Sequence, residues 1–229
     1  MFTSLGSDIW TVQGPNVDVM GFQYPTRMVI IRLSNRDLLV WSPIALTREL
    51  AAQTDALGVV KHIVSPNSLH HLFLSEWQAA YPNAVLHGTG QLQRKRKDIT
   101  FDRELTETPD PDWSDHVDQV VFGSNAITSE VVFFHKVSGC IVFCDLIQHF
   151  PDGWFSGWRR VVAKLDLMVA PEPCVPRKFR IAFYSRNRKK ARASFKRISA
   201  WPVTSVVMAH GAPVTQDAKR FLARAFAWL

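Results

Sequence analysis

Residues 59–81 read VVKHIVSPNSLHHLFLSEWQAAY, and the fold class turns on this stretch. Val59 to Val64 is an apolar run of the length of a buried strand. Ser65-Pro66-Asn67-Ser68 is a turn cluster. Two adjacent histidines, His70 and His71, follow at the mouth of an apolar, helix-like segment that ends before Pro82. Neighbouring side chains alternate on a strand and diverge by about 100° on a helix. In a loop leading into a helix neither limit holds, so both imidazoles are expected to converge on one point. Strand, histidine-bearing turn and helix is how an α/β sheet offers ligands at its strand ends.

A histidine pair alone reads equally well as two hydrogen-bonded loop imidazoles. Two further stretches bear on the choice. GCIVFCDLI runs an apolar strand into Asp145, and SVVMAHGAP runs another into His210. Three strand ends then each carry a metal-competent residue, as a convergent site requires.

On these motifs the chain resembles the metallo-β-lactamase fold superfamily. That family carries a His-x-His-x-Asp-His turn after a strand, a strand ending in Gly-Asp with the bridging carboxylate, and a late strand ending in His, often His-Gly. Here the turn reads Pro66-Asn67-Ser68-Leu69-His70-His71. The last His is kept as His71, the Asp is replaced by His70, and the first two His by Pro66 and Ser68. The carboxylate strand matches at Cys144-Asp145, with Cys for Gly, and the late strand at His210-Gly211. YPNAVLHG after the helix is similar to the family's next strand. Where the family has a further His before the Asp strand, this chain reads GSNAITSEVVFF; where it has Asp-Thr-Gly, Trp41-Ser42-Pro43 stands. The resemblance implies an α/β fold, a four-layer αββα sandwich with mixed sheets. It also implies His70, His71, Asp145 and His210 as the ligands of the second of the family's two metal positions, with the first position lost.

At 229 residues and 26.0 kDa, with 47% hydrophobic content, one well-packed domain over 1–229 is expected. Mean hydropathy near zero, −0.03, and no long uncharged apolar run argue against a membrane span. MFTSLGSDIW lacks the basic and apolar regions of a secretory leader, and three cysteines suit reduced thiols, so a cytoplasmic protein is expected. Net charge is +7, much of it in residues 177–197 and in Arg94 to Lys97. Such patches attract anionic substrate, anionic lipid or nucleic acid, or are simply solvated helix faces. With no zinc-finger or RNA-recognition signature, weak, non-specific nucleic-acid binding is the most they predict.

Along the chain, Asp8 to Gln13 reads as a first strand, and Met28 to Leu33 with Leu38 to Trp41 as a hairpin. Thr47 caps a helix running to Leu57, which Gly58 stops. Thr89 to Arg96 suits a short helix before a long irregular connection broken by Pro109-Asp110-Pro111. Val117 to Phe122, Glu130 to His135 and Cys140 to Cys144 read as antiparallel strands, and Asp166 to Ala170 as a short one. Phe150, Trp154, Phe155 and Trp158 suit either a core cap or a partner surface. A basic helix from Asn187, the strand to His210 and a last helix over Thr215 to Trp228 complete the chain.

Three imidazoles and a carboxylate suit one transition-metal ion, zinc first, with iron and manganese as alternatives. Four protein ligands would close a tetrahedral zinc, whereas three would leave a position for water. Two function classes follow: a metal-dependent hydrolase with a small-molecule or anionic substrate that the sequence does not identify, or a protein that keeps the fold for binding, with a structural metal or none. Glu130, near the lost-His turn, reads first as a surface carboxylate and otherwise as a base or orienter at the site; His135 reads as exposed, and His149 as a candidate for the site rim. His62, His87 and His116 have no partners that the sequence identifies.

Overall fold

The first sheet is laid down in chain order. In the computed structural model, which describes residues 1–122, 127–169, 175–184 and 187–229, β1 (Thr3–Gly6), β2 (Ile9–Val19), β3 (Phe22–Arg32) and β4 (Asp37–Trp41) form an antiparallel meander. β5 (Val59–Ser65), β6 (Val85–Gly88) and β7 (Arg103–Glu104) then add in parallel. Parallel neighbours need crossovers. Helices α1 (Arg48–Leu57), α2 (Leu74–Ala80) and α3 (Gly90–Lys95) lie in them. The Thr47 and Thr89 hydroxyls cap α1 and α3 by accepting from the amides of Leu50 and Leu92.

The second sheet has the order β11-β10-β9-β8. β8 (Val117–Phe122), β9 (Glu130–His135) and β10 (Cys140–His149) pair antiparallel, and β11 (Ser205–Gly211) joins β10 in parallel. Between β10 and β11 come α4 (Gly157–Leu165), α5 (Arg177–Tyr184) and α6 (Arg188–Ala200), and α7 (Ala218–Ala225) follows β11.

Strand alternation sorts the apolar residues into layers. On β3 and β4, Val29, Ile31, Leu39 and Trp41 point to the inter-sheet core, where they meet Val131 and Phe133 of β9. Met28, Ile30, Leu38 and Val40 point the other way, onto Leu50, Leu74, Trp77 and Leu92 of α1 to α3. On the far side Val132 and Phe134 pack with Phe179, Ile198 and Phe221 of α5 to α7. Three apolar interlayers make helices, sheet, sheet, helices: the αββα sandwich.

Several elements differ from the expected ones. The first strand is longer than Asp8 to Gln13, and β1 precedes it. β10 runs past Asp145 to His149 because its pairing with β11, shifted after Phe143, resumes at Gln148↔His210. Of the strand over Asp166 to Ala170 only a bridge between Phe150 and Val169 is present, and Ala170 lies outside the described residues, as does Cys174. Helices α4 and α5 have no counterpart among the expected elements. Of the four aromatics, Phe150 and Phe155 are buried whereas Trp154 and Trp158 are exposed.

Candidate functional site

The turn after β5 is tied by its own polar side chains. Asn67 Oδ1 accepts from the amides of Leu69 and His70, at 2.9 and 3.0 Å. Ser65 Oγ lies 2.6 Å from the His70 carbonyl oxygen. These bonds set the direction in which His70 leaves the backbone. Its ring meets those of Asp145 on β10 and His210 on β11. His70 Nε2 is 3.3 Å from Asp145 Oδ2, His210 Nε2 is 3.2 Å from Asp145 Oδ1, and the two Nε2 atoms are 3.2 Å apart. Three of the four expected residues come together.

His71 stands apart from them. It lines the same cavity, but its Nδ1 accepts from Arg96 Nη1 at 2.8 Å. Burial, with Lys95 and Arg96 nearby, pushes its imidazole down to about 4, so the ring is neutral. The two imidazoles do not share a point because successive residues of the turn leave it in different directions. In exchange, Cys144 enters: ligand atoms of His70, Cys144 and Asp145 all lie within 4.8 Å of one another, a set able to ligate a metal. Burial holds the Cys144 thiol well above its ordinary range, which keeps it protonated.

Partners outside the cluster orient each member. The Pro25 carbonyl accepts a hydrogen bond from His210 Nδ1 at 2.7 Å, and His70 Nδ1 is 2.7 Å from Ser42 Oγ. Ser42 has a φ of 52°, a left-handed conformation that costs a non-glycine residue energy and recurs at functional sites. Asn67 Nδ2 donates to Asp145 Oδ2 at 2.7 Å. Arg27, buried, donates from Nη1 to the carbonyls of Met208 and Gly211 and so pins the end of β11 to β3. Burial raises the Asp145 carboxyl, but His70 and His210 outweigh it and hold it well below the usual range.

Glu130 is not the expected surface carboxylate. It is buried, and its oxygens accept the amides of Cys144, Asp145 and Leu146 at 2.8, 2.8 and 2.9 Å. Burial and the neighbouring Asp145 charge push it up to about 7. It holds the backbone on which Asp145 sits. His135 is buried too, since β9 is flanked by β8 and β10, and its Nδ1 meets Ser138 Oγ at 2.8 Å. The His149 ring turns to Phe221, away from the cavity.

The cluster lies in the wall of a cavity of about 370 Å³. Lys95 and Lys178 line it beside two carboxylates, Asp18 and Asp145, with Lys178 Nζ 3.3 Å from Asp166 Oδ2, while Leu69, Phe73, Ile127 and Phe179 give it apolar surface. Gln148 also lines it, buried and with Oε1 unpaired among the described residues. Asn67 was legible as a turn residue. Nothing local marks Lys178 or Gln148, which reach the cavity only through tertiary packing.

The donor set fits a metal ion on physical grounds. A carbonyl only accepts, so His210 Nδ1 carries a proton, and in the neutral ring Nε2 presents a lone pair. That lone pair faces a carboxylate oxygen at 3.2 Å. Two acceptors so placed need a cation between them, a proton or a metal. Tetrahedral zinc with Zn–N near 2.0–2.1 Å sets its ligand atoms about 3.3 Å apart, close to the separations found.

Solved structures with the same architecture include metallo-β-lactamases. One from Hirschia baltica superposes with a TM-score of 0.61 at 12% identity, covering 97% of this chain and 95% of its own. FIM-1 from Pseudomonas aeruginosa, solved in a mono-zinc form, gives 0.63 at 12% identity, with 97% and 92% covered. The enzyme from Pontibacter korlensis gives 0.63 at 12%, with 97% and 98% covered. At such identity the likeness speaks for the fold alone. No curated protein matches the chain. Among the described residues no helix is long and apolar enough to cross a membrane. Residues 7–153, more than half of the chain, match the family described as "Domain of unknown function (DUF4336)". The chain thus belongs to that family and carries it on the metallo-β-lactamase fold.

Proposed function

We propose that the protein is a metal-dependent hydrolase with one ion per chain, held by His70, Asp145 and His210. The observation that supports this best is the convergence of two imidazole Nε2 atoms on one carboxylate at 3.2–3.3 Å. Zinc suits the donors, and iron or manganese shares the preference. The ion would supply Lewis acidity toward a substrate oxygen or a water.

The chain's own residues do the rest. Three protein ligands leave a coordination position open, which favours catalysis over a closed structural site. Lys95 and Lys178 would hold an anionic group of a small molecule, with its apolar part against Leu69 and Phe179. One ion rather than two is favoured by the turn. Ser68 Oγ is 3.2 Å from Thr128 Oγ1, and Asp145 Oδ2 already accepts a hydrogen bond from Asn67 Nδ2.

The same lost ligands support a second reading, a binding protein with a structural metal. Native mass spectrometry with elemental analysis tests both: one ion per chain is expected. Two ions, or none after supplementation with zinc, iron and manganese, would sink the mononuclear site. Hydrolysis of small anionic esters, lost on chelation and regained with metal, separates enzyme from binder.

A further inference from the structure

Helix α4 is turned inside out. Trp158, Val161, Val162 and Leu165 stand at i, i+3, i+4 and i+7, one face of the helix. A surface helix buries such a row, yet these four are 59, 58, 41 and 61% exposed, and Ala163 is the residue of α4 that is buried. An apolar row held in water marks an interaction site.

The row continues onto the tip between β2 and β3. The Phe22 ring is 5.5 Å from that of Trp158, and Trp154 Nε1 donates to the Gln23 carbonyl at 2.9 Å. At the tip Met20 is 90% exposed and Val19 is also exposed. Val19 lines the cavity as well, so the apolar surface borders the cavity mouth.

Charge selects the occupant. Arg159, Arg160 and Lys164 interleave with the apolar row, and α4 has no acid. Arg159 stacks on Trp158, with 4.9 Å from its guanidinium carbon to the ring centre. Asp152 pairs with Arg160 and Lys164 at 3.5 and 3.7 Å, and Asp18 at the tip keeps its charge while accepting from the Gly21 amide and Gln23 Nε2, so the three cations of α4 outnumber these two acids by one. The whole chain carries +7. Trp and aliphatic residues on one side with Lys and Arg beside them suit a helix lying in an anionic lipid interface. A second copy fits worse, since a two-fold interface through α4 would set the same cations against themselves.

We propose that α4 and the β2–β3 tip dock the protein on an anionic membrane surface, with the cavity mouth at the edge of the contact. This does not rest on the metal reading. The test is co-sedimentation with phosphatidylcholine vesicles, with and without about 30% phosphatidylglycerol. Binding is expected to the anionic vesicles and to weaken with salt. The double variant Val161→Asp/Leu165→Asp, at exposed positions, should lower partitioning by roughly tenfold or more with an unchanged circular dichroism spectrum. Lys189→Glu/Lys190→Glu on α6 should leave partitioning near the native value. The proposal is overturned by no binding at low salt, by equal binding to neutral vesicles, or by native partitioning of the α4 variant. An equal loss in the α6 variant overturns it too, as does self-association that the α4 variant abolishes without any vesicle binding.

Discussion

Two clusters of the same residue types sit in the first sheet's neighbourhood, and they do opposite things. His70, His210 and Asp145 converge at a cavity. His62 on β5 and His87 on β6 are buried beneath Trp113, with His62 Nδ1 3.1 Å from His87 Nε2 and Asp112 Oδ2 3.7 Å from His62 Nε2. In the buried pair one ring donates to the other, so the cluster satisfies itself. Burial pushes His87 down to about 3 and His62 below its ordinary value, which keeps both rings neutral. At the cavity the outside partners Pro25 and Ser42 occupy each Nδ1, and the Nε2 atoms are left facing each other and a carboxylate. A histidine cluster becomes a candidate metal site through which nitrogen is left free, not through its composition.

That contrast can be broken by mutation. The largest expected effect is that of His210→Ala. Loss of an outer partner typically costs about 10–100-fold in metal affinity, and loss of a ligand should cost more. The folded variant should retain no metal after dialysis against a mild chelator. Full retention would place the ion elsewhere.

The buried pair should instead report through pH. Unfolded imidazoles titrate near 6.5, whereas His87 titrates near 3 in the fold. Below pH 6.5 the unfolded chain therefore binds more protons. The stability from this neutral ring is full above 6.5 and is lost as pH falls toward 3, about 3 kcal/mol by pH 4. His62→Leu/His87→Leu should flatten the drop in urea midpoint between pH 7 and 5 without changing metal content. His135, pushed down to about 4 by burial, keeps part of the slope. An unaltered slope would show that the pair does not titrate as described.

Glu130→Gln comes next. An amide NH₂ would face a backbone N–H, leaving a buried donor unpaired at a cost of about 1–3 kcal/mol. Metal affinity should also fall as the Asp145 backbone loosens, which isothermal titration would read. Ser42→Ala removes only the hydroxyl beside His70 Nδ1 and should cost about tenfold in affinity at unchanged thermal midpoint. His71→Ala should do least, well below tenfold, because its Nδ1 is already bound to Arg96. A loss as large as that of His210→Ala would make His71 a ligand after all.

Elements whose pattern and punctuation agree were legible to the residue. β8 and β9 coincide with the expected Val117–Phe122 and Glu130–His135, and α1 starts behind its Thr47 cap. α4 escaped because Gly153 and Gly157 break the stretch and its apolar row meets no core. The choice between a surface and an orienting Glu130 stayed open because alternation says which residues share a face but not which face is covered. The divergence of His71 from His70 is not legible locally, because the turn's own bonds, from Asn67 and Ser65, decide where each imidazole leaves the chain.

By itself the sequence determined the layers and the strand ends. Periodicity, caps and breakers are local, and apolar faces must be buried whatever the partner. That is why a layered α/β class could be read from the pattern, whereas the αββα arrangement and the ligand set His70, His71, Asp145 and His210 rested on the family resemblance. Tertiary structure alone decided which groups meet. Pro25 against His210 and Glu130 against the β10 backbone are contacts between residues far apart in the chain. They depend on distances of a few tenths of an ångström, set by how two sheets pack, and no local pattern encodes that packing.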